Sequence, residues 1–432
     1  MEKVTTANVI GASAANSRNQ RRAIVSASLG NSFEWYDFTV YALFSIYIAG
    51  EFFPGGGPTL ELVKAFLAFG VGFVVRPLGA LVLGLYADRA GRKAVLSTAL
   101  SLMVCGTAIL ALAPGYTAIG VGAPLLILAG RVLQGFSAGG EFGGAAAFLL
   151  ESAPEGRRGE FSSWLQASMG LSNIMGAGAA FLVTWLFTPA EVRHFAWRLP
   201  FLFGLLIAPI GLWMRRAMEE TGDFSRQRTL QPPGKRPLFE GLTLLMRDSK
   251  PMLAKAVGLS TLVTVSSYVL VIFMPVYVQR TFHYAPSQAF AASVIGNLLL
   301  AAACVMSGGL SDRVGRRPVL LAATLVLGVC AFPLLDGLHR SPTFLNLVFV
   351  QSFFCIATGS FTGAAPAALS AGFPVQSRAL GVSIAYNIAV TLFSGFAPAA
   401  LTWISVHGGG PLAPAWYLAF AAALALPAVL AS

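Results

Sequence analysis

Five ionisable residues fall inside long apolar runs of this 432-residue chain: Glu34, Asp37, Arg76, Arg131 and Glu141. A charge at the centre of a membrane helix costs about 2.5–3.5 kcal/mol, so five unpaired would cost on the order of 10 kcal/mol or more. Pairing between helices is therefore expected. A carboxylate beside a guanidinium gives up its proton readily, whereas one in an apolar pocket holds it. Moving an acid between those environments would couple protons to other work. Asp37 is the first candidate proton carrier, Glu34 the second and Glu141 a third with a possible gate role instead. Arg76 and Arg131 suit carboxylate groups, because the planar guanidinium forks onto them, or they tune the acids. A buried pair that only joins two helices is the plain alternative.

Spacing groups these residues. Asn31, Glu34, Asp37 and Tyr41 follow three- and four-residue steps and share one helix face. Arg131, Gln134, Ala138 and Glu141 do the same, with Gly135 and Gly139 beside them, and so do Ser163, Gln166, Gly170 and Asn173. Three inward polar stripes predict a water-accessible cavity. In the second half of the chain the deep polar groups are neutral: Thr261, Thr264, Ser267, Tyr268, Asn297, Tyr386, Asn387 and Ser394. Isolated Ser and Thr often only bond their own backbone, which leaves Tyr268, Asn297, Tyr386 and Asn387 as the better substrate-binding candidates. They join Arg76, Arg131, Asn31, Tyr41, Gln134, Gln166 and Asn173.

The elements that must position them are membrane helices. The chain is 56% hydrophobic and 11% charged, with a mean hydropathy of +0.71, against roughly 25% charged in soluble domains. Apolar runs of membrane-spanning length predict an all-α, integral membrane protein with twelve spans, at 24–50, 60–86, 94–112, 119–150, 158–187, 196–214, 251–280, 287–310, 318–337, 343–372, 377–404 and 411–431. The polar stretch 215–250 reads as a linker between a six-helix bundle at 24–214 and another at 251–432, with a tail at 1–23. The first span is too long and too acidic for a cleaved leader. Cys105, Cys304, Cys330 and Cys355 are singles in apolar helices, so neither a disulfide nor a metal site is expected. The net charge of +11 lies in loops, which orients the protein rather than binding nucleic acid. By the positive-inside rule, both termini and the linker face the cytoplasm.

Two segments repeat: GLYADRAGRK at 84–93 and GGLSDRVGRR at 308–317, both fitting G-x-x-x-D-R-x-G-R-[KR] in equivalent loops of the two halves. This pattern resembles the loop signature of the major facilitator superfamily. The stretches GNSFEWYDF (30–38), GFVVRPLGA (72–80), GRVLQGFSAGGEFGG (130–144) and SSWLQAS (162–168) resemble its metabolite–proton symporter family. Gln166 and FMPVY (273–277) are most similar to the citrate and tricarballylate carriers. The resemblance implies the major facilitator fold and a cytoplasmic gate formed by Gly84, Asp88, Arg89, Gly91, Arg92, Glu151, Arg157, Asp312, Arg313, Gly315, Arg316 and Arg378. Asp88 and Asp312 would close it against arginines or a helix N-terminus. SAGFP places Ala371 where many relatives carry Glu, which removes one gate contact.

The function expected is proton-coupled symport of a small organic anion, a di- or tricarboxylate such as citrate or tricarballylate, by alternating access. A shikimate-like or aromatic acid or an osmolyte is the nearest alternative, and drug–proton antiport a more distant one. No HExxH, GxSxG or intramembrane His suggests an enzyme, and no cofactor is expected. A monomer in the bacterial inner membrane follows, with protons, substrate and lipid as partners.

Overall fold

A computed structural model describes residues 31–32, 35–90, 92–139, 149–150, 153–154, 156–206, 250–374 and 378–432, with the side chains at 84, 85, 87–90, 92, 93 and 96 outside the description. Among the described residues the fold is all helical, and each of the twelve expected spans contains helix. We number them α1 (31–52), α2 (Gly57–Ala90), α3 (Arg92–Leu112), α4 (Gly122–Ala138), α5 (Arg158–Leu186), α6 (196–206), α7 (Lys250–Thr281), α8 (Pro286–Val314), α9 (Arg316–Arg340), α10 (Phe344–Ala371), α11 (378–404) and α12 (Ala413–Leu430). Seven described helical stretches are long and apolar enough to cross a membrane, α11 and α12 running together as one.

One expectation needs correction. The repeated motif is not mainly loop: 84–90 continue α2 and 308–314 continue α8. Its Arg and Asp residues are compatible with helix, and the second copy breaks only at Gly315. There the backbone takes φ +90° and ψ 156°, a conformation open to glycine at little steric cost.

The two six-helix halves meet along α5 against α8 and α10, and along α2 against α11. In the internal repeat α2 corresponds to α8 and α5 to α11, so the two main seams are related by the repeat itself. Missing side chains let backbones touch. A Cβ on Gly135 of α4 would lie 1.8 Å from the Gly72 carbonyl oxygen of α2, and one on Gly159 of α5 would lie 2.5 Å from the Gly308 carbonyl oxygen of α8. Small residues bring membrane helices close because packing, not hydrophobic burial, holds them together in lipid.

Two helices carry wide turns. Ser267–Phe273 of α7 and Val390–Ser394 of α11 are π-helical, and the Ser394 hydroxyl donates to Thr264 Oγ1 at 2.6 Å, tying the two helices together. Such turns shift the register of the side chains beyond them and occur often at functional sites.

Candidate functional site

A buried polar chain crosses the first half. Arg131 and Gln134 sit three residues apart on α4, on the face turned to α3, and Arg131 Nη1 donates to Gln134 Oε1 at 2.7 Å. Gln134 Nε2 then donates to Thr107 Oγ1 of α3 at 3.0 Å, and the Thr107 hydroxyl donates to Asp37 Oδ2 of α1. The crossing is tight because Gly106 and Gly130 face each other: a Cβ on Gly106 would lie 2.7 Å from the Gly130 carbonyl oxygen. Thr107 escaped the sequence reading. It lies alone in the apolar run SLMVCGTAILAL, where a threonine usually serves only its own backbone.

The expected direct pairs between arginine and carboxylate are not formed among the described residues. Asp37 reaches Arg131 only through Thr107 and Gln134. Both deep arginines are held by aromatic rings instead. The Arg76 guanidinium lies 4.9, 4.9 and 4.7 Å from the ring centres of Trp35, Phe38 and Phe73. That of Arg131 lies 4.4, 4.7 and 4.8 Å from Phe38, Tyr41 and Phe69. Phe38 is thus shared between two cations. Desolvated cation–π contacts are worth up to about 2 kcal/mol each, which offsets much of the burial cost without an acid. Arg76 Nε and Nη2, Arg131 Nε and Asp37 Oδ1 are buried without a hydrogen-bond partner. Glu34 and Glu141 lie outside the described residues.

Between the halves is a cavity of about 390 Å³ of atom-free space, lined by Trp35 of α1, Gln166, Met169, Gly170 and Asn173 of α5, Leu300 of α8, Thr362 of α10 and the π-helical face Ser267, Tyr268, Val271 and Ile272 of α7. Three predicted residues meet here: Gln166, Asn173 and Tyr268. The α5 stripe therefore faces the seam as its spacing required. Asn173 Oδ1 accepts from Thr39 at 2.8 Å. The Tyr268 ring packs edge-on against Trp35 at 6.2 Å and Phe73 at 5.2 Å. These rings form a wall with the cavity on one side and Arg76 on the other.

Other predicted binding residues are occupied elsewhere. Asn31 Nδ2 donates to Ser168 Oγ at 2.8 Å and to the Leu165 carbonyl at 3.3 Å, tying α1 to α5. The Tyr41 hydroxyl donates to the Ala65 carbonyl at 3.0 Å. Asn297 and Asn387 donate to carbonyls one turn back, those of Ser293 at 2.8 Å and Ser383 at 2.9 Å. Tyr386 is buried on α11.

At the motif end of the seam, Asp312 of α8 accepts from the backbone N–H groups of Gly159 at 2.7 Å and Glu160 at 2.9 Å. It thereby caps the N-terminus of α5 across the two halves. Arg157 pairs with Glu160 at 2.5 Å, and that hydrogen bond raises its pKa. Arg316 donates to the Ala367 carbonyl at 3.1 Å and Arg378 to that of Ser370 at 3.1 Å. Both therefore hold the end of α10, and Arg313 is exposed. Of the first copy, Gly91 is outside the described residues, and so are the side chains of Gly84, Asp88, Arg89 and Arg92. Glu151 is also outside. At the other end of the seam Arg280 of α7 donates to the Pro58 carbonyl of α2 at 3.2 Å.

Twelve apolar helices in two halves, closed over a polar cavity at their seam, define a membrane transporter rather than an enzyme. Residues 27–335 and 257–432 match the model of the Major Facilitator Superfamily, and the chain belongs to that superfamily. It is 35% identical over 404 residues to the citrate-proton symporter of Klebsiella pneumoniae, covering 93% of this chain and 89% of that protein. It is 33% identical over 415 residues to the proline/betaine transporter of Escherichia coli strain K12, covering 94% and 82%. Its structure is similar to that of the xylose transporter XylE from E. coli in a partially occluded inward open conformation, with TM-score 0.73 and 15% identity over 95% of this chain and 96% of that one. At that identity the likeness speaks for the fold alone.

Proposed function

We propose that the chain is a proton-coupled symporter of a small organic anion, a di- or tricarboxylate such as citrate or tricarballylate. In this reading it works by alternating access in a bacterial inner membrane, with both termini and the 215–250 linker cytoplasmic. The observation that carries the reading is the pair of deep guanidiniums, Arg76 and Arg131, whose unpartnered N–H groups have no carboxylate paired to them among the described residues. Buried charge of this kind is a functional site by default, and an anionic substrate is the partner that would complete it. The likeness to citrate-proton symporters supports the same class.

In this mechanism the substrate enters the cavity through Gln166, Asn173 and Tyr268. Displacement of the Trp35, Tyr268 and Phe73 rings then brings its carboxylates onto Arg76. Asp37 carries the proton. Each pH unit of gradient supplies about 1.4 kcal/mol per proton. Asp312 on the α5 N-terminus latches one face while the other is open, and the halves rock about the α5–α8 and α2–α11 seams.

A second reading has its own support. The cavity lining is neutral and aromatic, and the proline/betaine transporters are nearly as similar, so a zwitterionic osmolyte fits that wall. Competition decides between them. Uptake of labelled citrate into proteoliposomes should be blocked by excess tricarballylate and not by excess glycine betaine. Labelled glycine betaine accumulating where citrate does not would overturn the anion reading.

A further inference from the structure

We propose that Thr107 is a positioning residue that keeps Asp37 hydrogen-bonded in both of its protonation states and passes that state to Arg131. The inference rests on Asp37 being the proton carrier.

Donor and acceptor roles in the chain are forced from one end. Arg131 can only donate, so the Gln134 oxygen must face it, and Gln134 Nε2 must donate to Thr107 Oγ1. The Thr107 hydroxyl then has a single proton to place and two acceptors in reach: Asp37 Oδ2 and, at 3.0 Å, the carbonyl of Met103 one turn back. When Asp37 is ionised, the proton points to Oδ2. When Asp37 takes a proton on Oδ2, that new O–H donates to Thr107 Oγ1, and the threonine O–H rotates to the Met103 carbonyl. No bond of Thr107 breaks, and every member of the chain keeps a partner in either state. A buried network satisfied in both of its states can switch without stranding a polar group. The threonine oxygen accepts one hydrogen bond in the first state and two in the second. The bond from Gln134, and through it the hold on Arg131, therefore changes with the proton.

Among the described residues few charged or titratable groups face Asp37. Arg131 of α4 and the neighbouring Tyr36 on α1 act on it electrostatically. Arg76, Tyr41 and Tyr268 act on Arg131 in turn. The α3 contact is Thr107 itself. From α6 comes Gly204, where a Cβ would stand 2.9 Å from Asp37 Oδ1.

The test is the pH profile of protonophore-sensitive accumulation of labelled citrate in proteoliposomes, for the full chain and for Thr107→Val and Thr107→Ser. Citrate counterflow, which needs no net proton movement, serves as the control for an intact carrier. Hydrogen bonds to a charged acceptor are roughly twice as strong as neutral ones, so valine penalises ionised Asp37 more than protonated Asp37. The profile of Thr107→Val should move alkaline by about one pH unit with counterflow retained, and Thr107→Ser should follow the wild type. Should the valine variant not fold, Thr107→Cys, with a weaker donor of similar size, should move the profile the same way. A coupled wild type whose valine or cysteine variant keeps the wild-type profile overturns the role of Thr107. Absence of protonophore-sensitive accumulation in the wild type overturns the functional reading beneath it.

Discussion

Asp312→Asn should open the motif face of the transporter. The native carboxylate accepts two backbone N–H bonds, 2.7 and 2.9 Å long, from the first turn of α5 in the opposite half. Charged hydrogen bonds contribute about 1.5–3 kcal/mol each against roughly 0.5–1.5 for neutral ones. A carboxylate at a helix N-terminus adds about 0.3–1 kcal/mol through the dipole. Asparagine keeps one acceptor oxygen, loses the other and carries no charge. The closed seam should therefore lose about 2–4 kcal/mol, a shift of roughly 30- to 1000-fold toward opening at 1.4 kcal/mol per tenfold. Spin labels at the exposed positions Arg158 and Val314, at the facing ends of α5 and α8, would report it as a longer distance population by double electron–electron resonance. Gly308→Ala should do the same with Asp312 intact, because its Cβ would stand 2.6 Å from the Ser163 Cβ. An unchanged distance distribution in Asp312→Asn would refute the latch.

Three further outcomes follow from the site. Arg76→Gln should raise the KM for citrate at least tenfold yet leave the melting temperature unchanged or higher, since the arginine is buried without a hydrogen-bonded counter-charge among the described residues and removing it relieves about 2.5–3.5 kcal/mol of insertion cost. A lower melting temperature with an unchanged KM would make Arg76 structural. Tyr41→Phe should cost about 1 kcal/mol of stability and leave the KM within twofold, because its hydroxyl serves Ala65; a large KM change in uptake assays would return it to the binding site. Gly135→Ala must separate α4 from α2, given the 1.8 Å contact with the Gly72 oxygen. It should cost about 1–3 kcal/mol and lower transport, read by thermal unfolding and uptake together.

Features carried by repetition or periodicity were legible in the sequence. The apolar runs gave twelve helices, the α5 stripe gave Gln166 and Asn173 at the cavity, and the repeated motif pointed to Asp312 at a helix end. What was lost depends on partners distant in sequence. Nothing local distinguishes Thr107 from a threonine that bonds only its own turn, as Thr264 and Thr324 do. Asn297 and Asn387 looked like cavity residues but bond back along their own helices, which hydropathy cannot register. The arginines were expected to pair with acids because charge balance suggests it. The aromatic rings that hold them are ordinary membrane residues until α1 and α2 bring them together. The π-turn of α7 has no signature in SYVLVIF, yet it sets which of those side chains line the cavity.

The most direct test is accumulation of labelled citrate in proteoliposomes under an inside-alkaline pH gradient, with the same measurement on Asp37→Asn. The wild type should concentrate citrate and lose that capacity when a protonophore collapses the gradient. Asp37→Asn should exchange citrate but never concentrate it. Accumulation indifferent to protonophore, or pH-driven accumulation that survives Asp37→Asn, would contradict the assignment of this carboxylate as the proton carrier.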